Sequence, residues 1–177
     1  MRRISVFCGS QTGNDPLIID QARILGSLLA ENEIELVYGG TNIGIMGILA
    51  DCVMAVGGKV EGVIPSLIEE KRLAHKNLTR MIEVSTLEER KERLIKDSDA
   101  IVVFPGSYGT LDELFSALVL KQLGIIDKPV VVLNIGGFYD SLLAQLDHMV
   151  KLGFMQERFR SNLQVVSDCR ELHFLWD

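Results

Sequence analysis

Residues 100–118 combine a buried strand, a glycine-containing turn and a helix, and this junction constrains the fold more than any other part of the chain. The apolar run at residues 100–104 (AIVVF) is typical of a buried parallel strand. Leu111, Leu114, Phe115 and Leu118 then recur at helix spacing. A strand that passes through a short turn into a helix is the building unit of α/β folds with a parallel sheet.

The turn at residues 105–110 (PGSYGT) is suited to binding an anion. Backbone N–H groups at the start of a helix have no partner within the helix, and the positive end of the helix dipole lies there. Glu113 falls in the first turn of a helix predicted to begin at Thr110, so a carboxylate would lie beside the bound anion. A phosphate site next to a carboxylate indicates chemistry on a phosphosugar or a nucleotide.

Strand-like and helix-like patterns alternate along the chain. Strands are predicted at residues 4–8, 35–38, 59–64, 81–84, 100–104, 130–134 and 162–166, and helices at residues 16–31, 44–56, 86–98, 110–123, 139–152 and 168–176. Asp15 before Pro16 predicts a helix N-cap, and Gly57, Gly58 and Gly124 predict helix ends. The alternation predicts one α/β domain over residues 1–177, a Rossmann-like doubly wound parallel sheet with helices on both faces. Ligands of such sheets bind beyond the carboxyl ends of the strands, where the strand order reverses.

Composition narrows the classes of partner and compartment. The net charge of −6 and the lack of a basic patch argue against a nucleic-acid partner. No apolar run approaches the length of a membrane span, which predicts no membrane partner. Cys8, Cys52 and Cys169 are scattered, and no cysteine or histidine spacing suggests a zinc site. No metal and no organic cofactor are implied. Unpaired cysteines favour a reducing, cytoplasmic location.

Four blocks of the sequence together resemble one enzyme family. Residues 105–113 (PGSYGTLDE) resemble the PGGxGTxxE signature of the LONELY GUY (LOG) family, the cytokinin riboside 5′-monophosphate phosphoribohydrolases, many of which are labelled lysine decarboxylases. Residues 7–10 (FCGS) resemble the end of the family's first strand, residues 38–47 (YGGTNIGIMG) its GGxxxGLMG block, and residues 89–91 (ERK) the block that precedes its signature strand. The likeness covers most of the chain up to about residue 154.

This resemblance implies an activity and a set of site residues. It implies hydrolysis of the N-glycosidic bond of AMP or N6-substituted AMP, which releases the free base and ribose 5-phosphate, in a homodimer or higher oligomer with its sites near the interface. Arg90 and Glu113 would be catalytic. The residues implied to bind substrate are Lys91, Gly106, Ser107, Tyr108, Gly109, Thr110, Gly9, Ser10, Gly39, Gly40 and Met46.

Each of these assignments has a plainer alternative. Arg90 and Lys91 lie in a charged stretch, residues 88–93, that is also typical of a solvated helix face laced with ion pairs. An acidic residue favours the first turn of any helix, and Asp112 could serve that purpose as well as Glu113. The glycines of residues 38–47 also suit a tight turn with close helix–sheet packing. His75 is interpreted as a structural histidine.

Two positions depart from the family pattern. Ser107 replaces the second glycine of the signature, so it would be strained if the turn requires a positive φ there, or it could donate its hydroxyl to phosphate. Arg72 falls where many family members carry a substrate-binding glutamate, with Glu69 and Glu70 just before it. These departures motivate the alternative of a non-catalytic nucleotide- or cofactor-binding protein, like the molybdenum-cofactor carriers that share the fold. Amino-acid decarboxylation is rejected because nothing marks a Schiff-base lysine for pyridoxal phosphate.

Overall fold

The computed structural model describes residues 2–66 and 73–176, which build one seven-stranded parallel sheet in the order β4-β3-β2-β1-β5-β6-β7. The strands are β1 Arg3–Phe7, β2 Glu35–Tyr38, β3 Val60–Pro65, β4 Arg80–Val84, β5 Ala100–Val103, β6 Val130–Leu133 and β7 Leu163–Val166. The α-helices are α1 Pro16–Glu31, α2 Gly44–Ala55, α3 Leu87–Lys96, α4 Tyr108–Gln122, α5 Asp140–Lys151 and α6 Glu157–Arg160. The chain starts in the middle of the sheet, moves outward to β4, and returns to pair β5 with the other side of β1.

Alternate residues of the central strands β1, β5 and β6 pack into two separate cores, as the period of a strand requires. Val6 and Val102 face α1 and α2, whereas Phe7 and Val103 face the other helices. The first core holds Leu25, Leu29 and Leu49, and the second holds Leu94, Leu114 and Leu146. Both faces of the sheet are therefore covered, which confirms the predicted Rossmann-like doubly wound α/β fold.

The helix boundaries follow local signals in the sequence. Asp15 caps α1 by accepting a hydrogen bond from the Leu17 N–H at 2.9 Å, and Thr86 caps α3 by accepting one from Glu89 at 3.0 Å. Gly57 and Gly124 follow the ends of α2 and α4 with φ of +81° and +70°, a conformation in which glycine lacks the strain of other residues.

Two local predictions are corrected, and one short helix was not predicted. Helix α4 begins at Tyr108 rather than at Thr110, because Ser107 already accepts the first helical hydrogen bond, from Leu111, at 3.0 Å. The predicted final helix is a 3₁₀ segment, Cys169–Leu175. The short helix α6 had no counterpart in the prediction. Arg72, Glu69 and Glu70 lie outside the described residues.

Among residues 2–66 and 73–176, no helix combines the length and the apolar character needed to cross a bilayer. The same part of the chain contains no group of three or more His, Cys, Asp or Glu side chains arranged to hold a metal ion.

Candidate active site

The loops that follow β1 and β5 are held together where the strand order reverses. The Phe104 N–H donates to the Phe7 carbonyl at 2.8 Å, and the Gly9 N–H donates to the Pro105 carbonyl at 3.2 Å. A Cβ on Gly106 would overlap the Thr110 side chain and lie 3.0 Å from the Gly9 nitrogen. Only glycine therefore fits at position 106 without moving the two loops apart.

Helix α4 directs its first backbone N–H groups toward this junction. Ser107 is the N-cap residue, but its side chain makes no capping hydrogen bond. The N–H groups of residues 108–110 precede the first helical hydrogen bond and have no acceptor within the helix. Such a helix start binds phosphate through these groups and through the helix dipole.

Ser107 is compatible with this loop. Its φ of −112° and ψ of −150° are extended values that any residue adopts. The strain considered for a serine at this position is therefore absent, and the Ser107 hydroxyl stays unengaged by a cap. Tyr108, by contrast, is 90% exposed, so its side chain extends into solvent.

Arg90 and Glu113 form an ion pair that connects α3 to α4. The Arg90 Nη1 donates to Glu113 Oε1 at 2.6 Å, and its Nε donates to the Val63 carbonyl at 3.1 Å. A Cβ on Gly39 would overlap the guanidinium and lie 2.8 Å from the Met46 sulfur. Gly39 thus makes room for Arg90, and Arg90 is fixed in two directions by its planar fork of donors.

Burial changes the pKa of Glu113 and of the nearby Cys8 thiol. Glu113 is 7% exposed. Desolvation raises its pKa above the ordinary value, and the charge and hydrogen bond of Arg90 oppose the rise. Burial also raises the pKa of the Cys8 thiol, and the Glu113 charge adds to the rise. Cys8 therefore stays a thiol rather than a nucleophilic thiolate.

Glu113 lies in the second turn of α4, because the helix begins two residues earlier than predicted. The helix-dipole explanation for this residue is correspondingly weaker. Asp112 instead points to solvent, where it accepts hydrogen bonds from the Lys91 Nζ at 2.9 and 3.0 Å. The structure thus separates the two acidic residues, one buried against Arg90 and the other exposed.

The glycine-bearing blocks and Arg90 converge on one cavity of about 290 Å³. Its lining residues are Cys8, Gly9, Ser10, Thr41, Ile43, Met46, Leu73, Arg90, Ser107, Gly109, Thr110 and Glu113. A neighbouring recess of about 200 Å³ shares Gly9, Ser10 and Ser107 with it, but it is lined by Ile18, Ile45 and Phe138 rather than by the ion pair. The larger cavity, which contains the ion pair, is the candidate active site.

Five residues that the sequence assigned to the site do not line this cavity: Lys91, Gly39, Gly40, Gly106 and Tyr108. Gly40 has a φ of +80° and faces Ile64 and Met81. Lys91 forms an ion pair with the exposed Asp112. Gly39 lies against the Arg90 guanidinium. The assigned roles of these residues in binding substrate remain predictions.

Thr41, Ile43 and Leu73 line the cavity but were not assigned to the site from the sequence. Thr41 and Ile43 lie inside the glycine-bearing block at residues 38–47. The position of this block at the site could therefore have predicted that they line the cavity. Leu73 belongs to a segment that pairs with the same loop. His75 hydrogen bonds Asp51 at 3.1 Å and is buried away from the cavity lining, which agrees with the structural interpretation.

Comparison with known proteins identifies the family. A family model described as "Possible lysine decarboxylase" matches residues 46–174. The cytokinin riboside 5′-monophosphate phosphoribohydrolase LOG2 of Arabidopsis thaliana is 42% identical over 159 residues, which is 90% of this chain and 75% of that protein. The chain belongs to the LOG family. A probable LOG phosphoribohydrolase of Oryza sativa subsp. japonica, LOGL1, is 41% identical over 170 residues, 96% of this chain and 72% of that protein.

The fold of this LOG-family chain also occurs in more distant proteins. The molybdenum cofactor binding protein of the phototrophic bacterium Rippkaea orientalis superimposes with a TM-score of 0.74 at 23% identity, covering 98% of this chain and 94% of that one. Identity this low establishes a shared fold, and functions differ widely among proteins of one fold. The stretch of the LOG-family chain matched by the family model contains both Arg90 and Glu113.

Proposed function

We propose that this protein is a nucleoside 5′-monophosphate phosphoribohydrolase that acts on AMP or on N6-substituted AMP. The cytokinin riboside monophosphates are N6-substituted forms of AMP. The products are the free base and ribose 5-phosphate. The observation that carries the proposal is the buried Arg90–Glu113 ion pair in a cavity that also contains an unpartnered helix start. LOG relatives up to 42% identical, named for this activity, support the substrate class.

The 5′-phosphate binds the N–H groups at the start of α4, with the Ser107 and Thr110 hydroxyls beside it. This contact positions the ribose over Glu113, five residues further along the same helix. The loop after β2 lies two strands away from the loop after β5, about 10 Å at the usual spacing of strands. That distance lets one nucleotide extend from the phosphate site to the apolar side chains Ile43 and Met46.

Cleavage of the N-glycosidic bond passes through an oxocarbenium-like state with positive charge on the sugar. The Glu113 carboxylate stabilises that charge in a site largely closed to solvent, where electrostatic effects are strong. Water adds its oxygen to C1′ of ribose, and the departing base keeps the electron pair of the broken bond. The base gains one proton and the sugar gains the hydroxyl, so the atoms of one water are divided between the products.

Arg90 orients Glu113 and contacts substrate oxygens. An arginine side chain stays charged in proteins, so it does not serve as the general acid. The hydrogen bond from Arg90 to the Val63 carbonyl fixes the guanidinium. The hydrogen bond from Arg90 to Glu113 then keeps the carboxylate in one position and favours its ionised form. Positioning of this kind is a large part of catalysis, because the reacting groups need no rearrangement during the reaction.

The activity is tested by incubating the purified protein with AMP, isopentenyladenosine monophosphate and isopentenyladenosine, and separating the products by chromatography. We expect free base from the two monophosphates and little from the nucleoside, which lacks the group that binds α4. Nucleotides that bind without releasing base would instead support the non-catalytic alternative. Release from the nucleoside at the same rate would contradict the phosphate site.

A second copy of the chain is proposed to pack along α4. Apolar side chains that include Phe115, Val119 and Leu123 are exposed on this helix. Beside them lies a recess of about 240 Å³ between α4, α5 and α6, lined by Leu146, Met149 and other apolar residues. Apolar surface of this kind is characteristic of a homodimer interface. Since α4 also begins at the phosphate site, such a dimer would bring each active site close to the interface.

The Val119→Glu variant should convert the dimer to a monomer in sedimentation at micromolar concentration, because it would bury a charge in the interface. Val119 is 54% exposed, and Val56 at the end of α2 is 60% exposed. Val56→Glu is therefore the matched control and should leave the dimer intact. A wild-type protein that sediments as a monomer would contradict the proposed assembly.

We also propose that the protein is cytoplasmic and that residues 1–177 form a single domain. Cys8, Cys52 and Cys169 are free thiols, which supports a reducing compartment. The continuous sheet supports one domain.

A further inference from the structure

Residues 73–75 pair with the loop that follows β2. The Asn42 N–H donates to the Leu73 carbonyl, and the His75 N–H donates to the Gly40 carbonyl, both at 2.9 Å. Between them Thr41 and Ala74 form an antiparallel bridge. These two hydrogen bonds fix the backbone of residues 73–75 directly beside the cavity that Thr41 lines.

A side-chain contact fixes the same segment from the opposite side. The His75 Nδ1 accepts a hydrogen bond from the Asn77 N–H at 3.3 Å. The proton of the ring therefore lies on Nε2, which donates to Asp51 Oδ1 at 3.1 Å. His75 is buried, whereas the Asp51 side chain on α2 is 70% exposed. The segment is thus tied to α2 through an exposed side chain.

Leu73 contributes one of the apolar side chains that line the cavity. Ile43 and Met46 also line the cavity with apolar side chains. The Thr41 hydroxyl donates a hydrogen bond to the Met46 sulfur at 3.3 Å. The polar groups that suit a phosphate and a ribose, at Ser107, Thr110 and Glu113, belong to α4 and its N-cap. A ligand with one charged end and one flat apolar end matches this division.

We propose that Leu73 contacts the base of the nucleotide and that the His75–Asp51 hydrogen bond positions Leu73 for this contact. Leu73 is then a residue that determines affinity for the base, and His75 is a positioning residue that acts through Leu73. The inference rests on the proposed function, since it assumes a nucleoside monophosphate in this cavity.

The test compares AMP with ribose 5-phosphate, which keeps the phosphate and the sugar but lacks the base. Dissociation constants of both are measured by calorimetry for the otherwise wild-type protein, Leu73→Ala, Asp51→Ala and Asp51→Asn, all carrying Glu113→Gln so that bound AMP is not cleaved. We expect Leu73→Ala to weaken AMP binding about tenfold, as for a truncated apolar contact in a binding pocket. Asp51→Ala should weaken it about threefold, the effect of one net hydrogen bond. Ribose 5-phosphate should bind all four proteins alike.

Two variants separate positioning from general destabilisation. Asp51→Asn keeps an oxygen that accepts the His75 proton, so it should restore the affinity for AMP. Asp20→Ala removes a similarly exposed aspartate from α1, whose partner is Arg23, and it should change neither affinity. Unchanged AMP affinity in Leu73→Ala, or equal losses for AMP and ribose 5-phosphate, would overturn the inference.

The proposed hydrolysis is judged separately by release of base. AMP that binds the wild type with the expected dependence on Leu73 but is never cleaved would contradict the hydrolysis and support this inference. Cleavage that is normal in Leu73→Ala with unchanged AMP affinity would contradict this inference and support the hydrolysis. Wild-type protein that binds neither ligand would overturn both.

Discussion

The Glu113→Gln variant should release base from AMP about a thousandfold more slowly than the wild type, the effect of removing one preorganised electrostatic group from an active site. The amide has the shape of the carboxylate, and its oxygen can still accept the Arg90 hydrogen bond that measures 2.6 Å in the wild type. It lacks the negative charge that stabilises the cationic sugar. The dissociation constant of AMP should therefore change little while the turnover number falls.

Asp112→Asn is the matched control, because it makes the same chemical change one residue away. Asp112 is 64% exposed at its side chain and pairs with Lys91, so base release should stay within about twofold of wild type, as is usual for exposed ion pairs. Single-turnover chromatography with both variants, alongside circular dichroism to verify folding, provides the comparison. Equal losses in the two variants, or no loss in Glu113→Gln, would remove Glu113 from the mechanism.

Replacing Arg90 with Met should lower base release by about a hundredfold or more and should also alter its dependence on pH. Activity requires the Glu113 carboxylate, so it falls as the pH drops through the pKa of this group. Burial raises that pKa, and Arg90 lowers it through its charge and its hydrogen bond. Without Arg90 the lowering influences are largely lost, and the pKa of Glu113 rises further. The acid limb of the activity profile should move to higher pH.

The profile of turnover against pH, measured from pH 4 to pH 9, tests this expectation. Lys91→Met removes the neighbouring cation of the same helix and is the matched control. Lys91 also lowers the pKa of Glu113, but it is the weakest of the causes, so its removal should shift the limb far less. An Arg90→Met profile whose acid limb coincides with that of wild type would show that Glu113 does not carry the required charge.

The fold followed from local patterns because each predicted strand and helix depends on residues close together in the chain. Pro16 after Asp15 begins α1, and the run at residues 100–104 forms β5 between two other strands. The start of α4 was misplaced by two residues, because the Ser107 carbonyl already accepts a helical hydrogen bond from Leu111, a contact that the sequence pattern does not reveal. Strained backbone at Ser107 could be ruled out only from its observed dihedral angles.

The candidate site was predicted less completely than the fold. Gly106 and Thr110 were assigned to the site from the predicted phosphate-binding turn, and the structure packs Gly106 between Thr110 and Gly9 of the loop after β1. Leu73 was missed because its neighbours in the cavity come from distant parts of the chain. Gly39 was assigned to substrate, but its observed neighbours are Arg90 and Met46.

By itself, the sequence determined the seven strands, the helices α1 to α5, the turn between β5 and α4, and the family, since these depend on short-range periodicity and on contiguous motifs. Tertiary structure alone decided which charged residues act together. Arg90 and Lys91 are adjacent in the chain, as are Asp112 and Glu113, yet Arg90 is buried with Glu113 while Lys91 and Asp112 pair in solvent. The angle between successive residues on a helix directs neighbours to different sides, and only the packing of α3 against α4 shows which side faces the cavity.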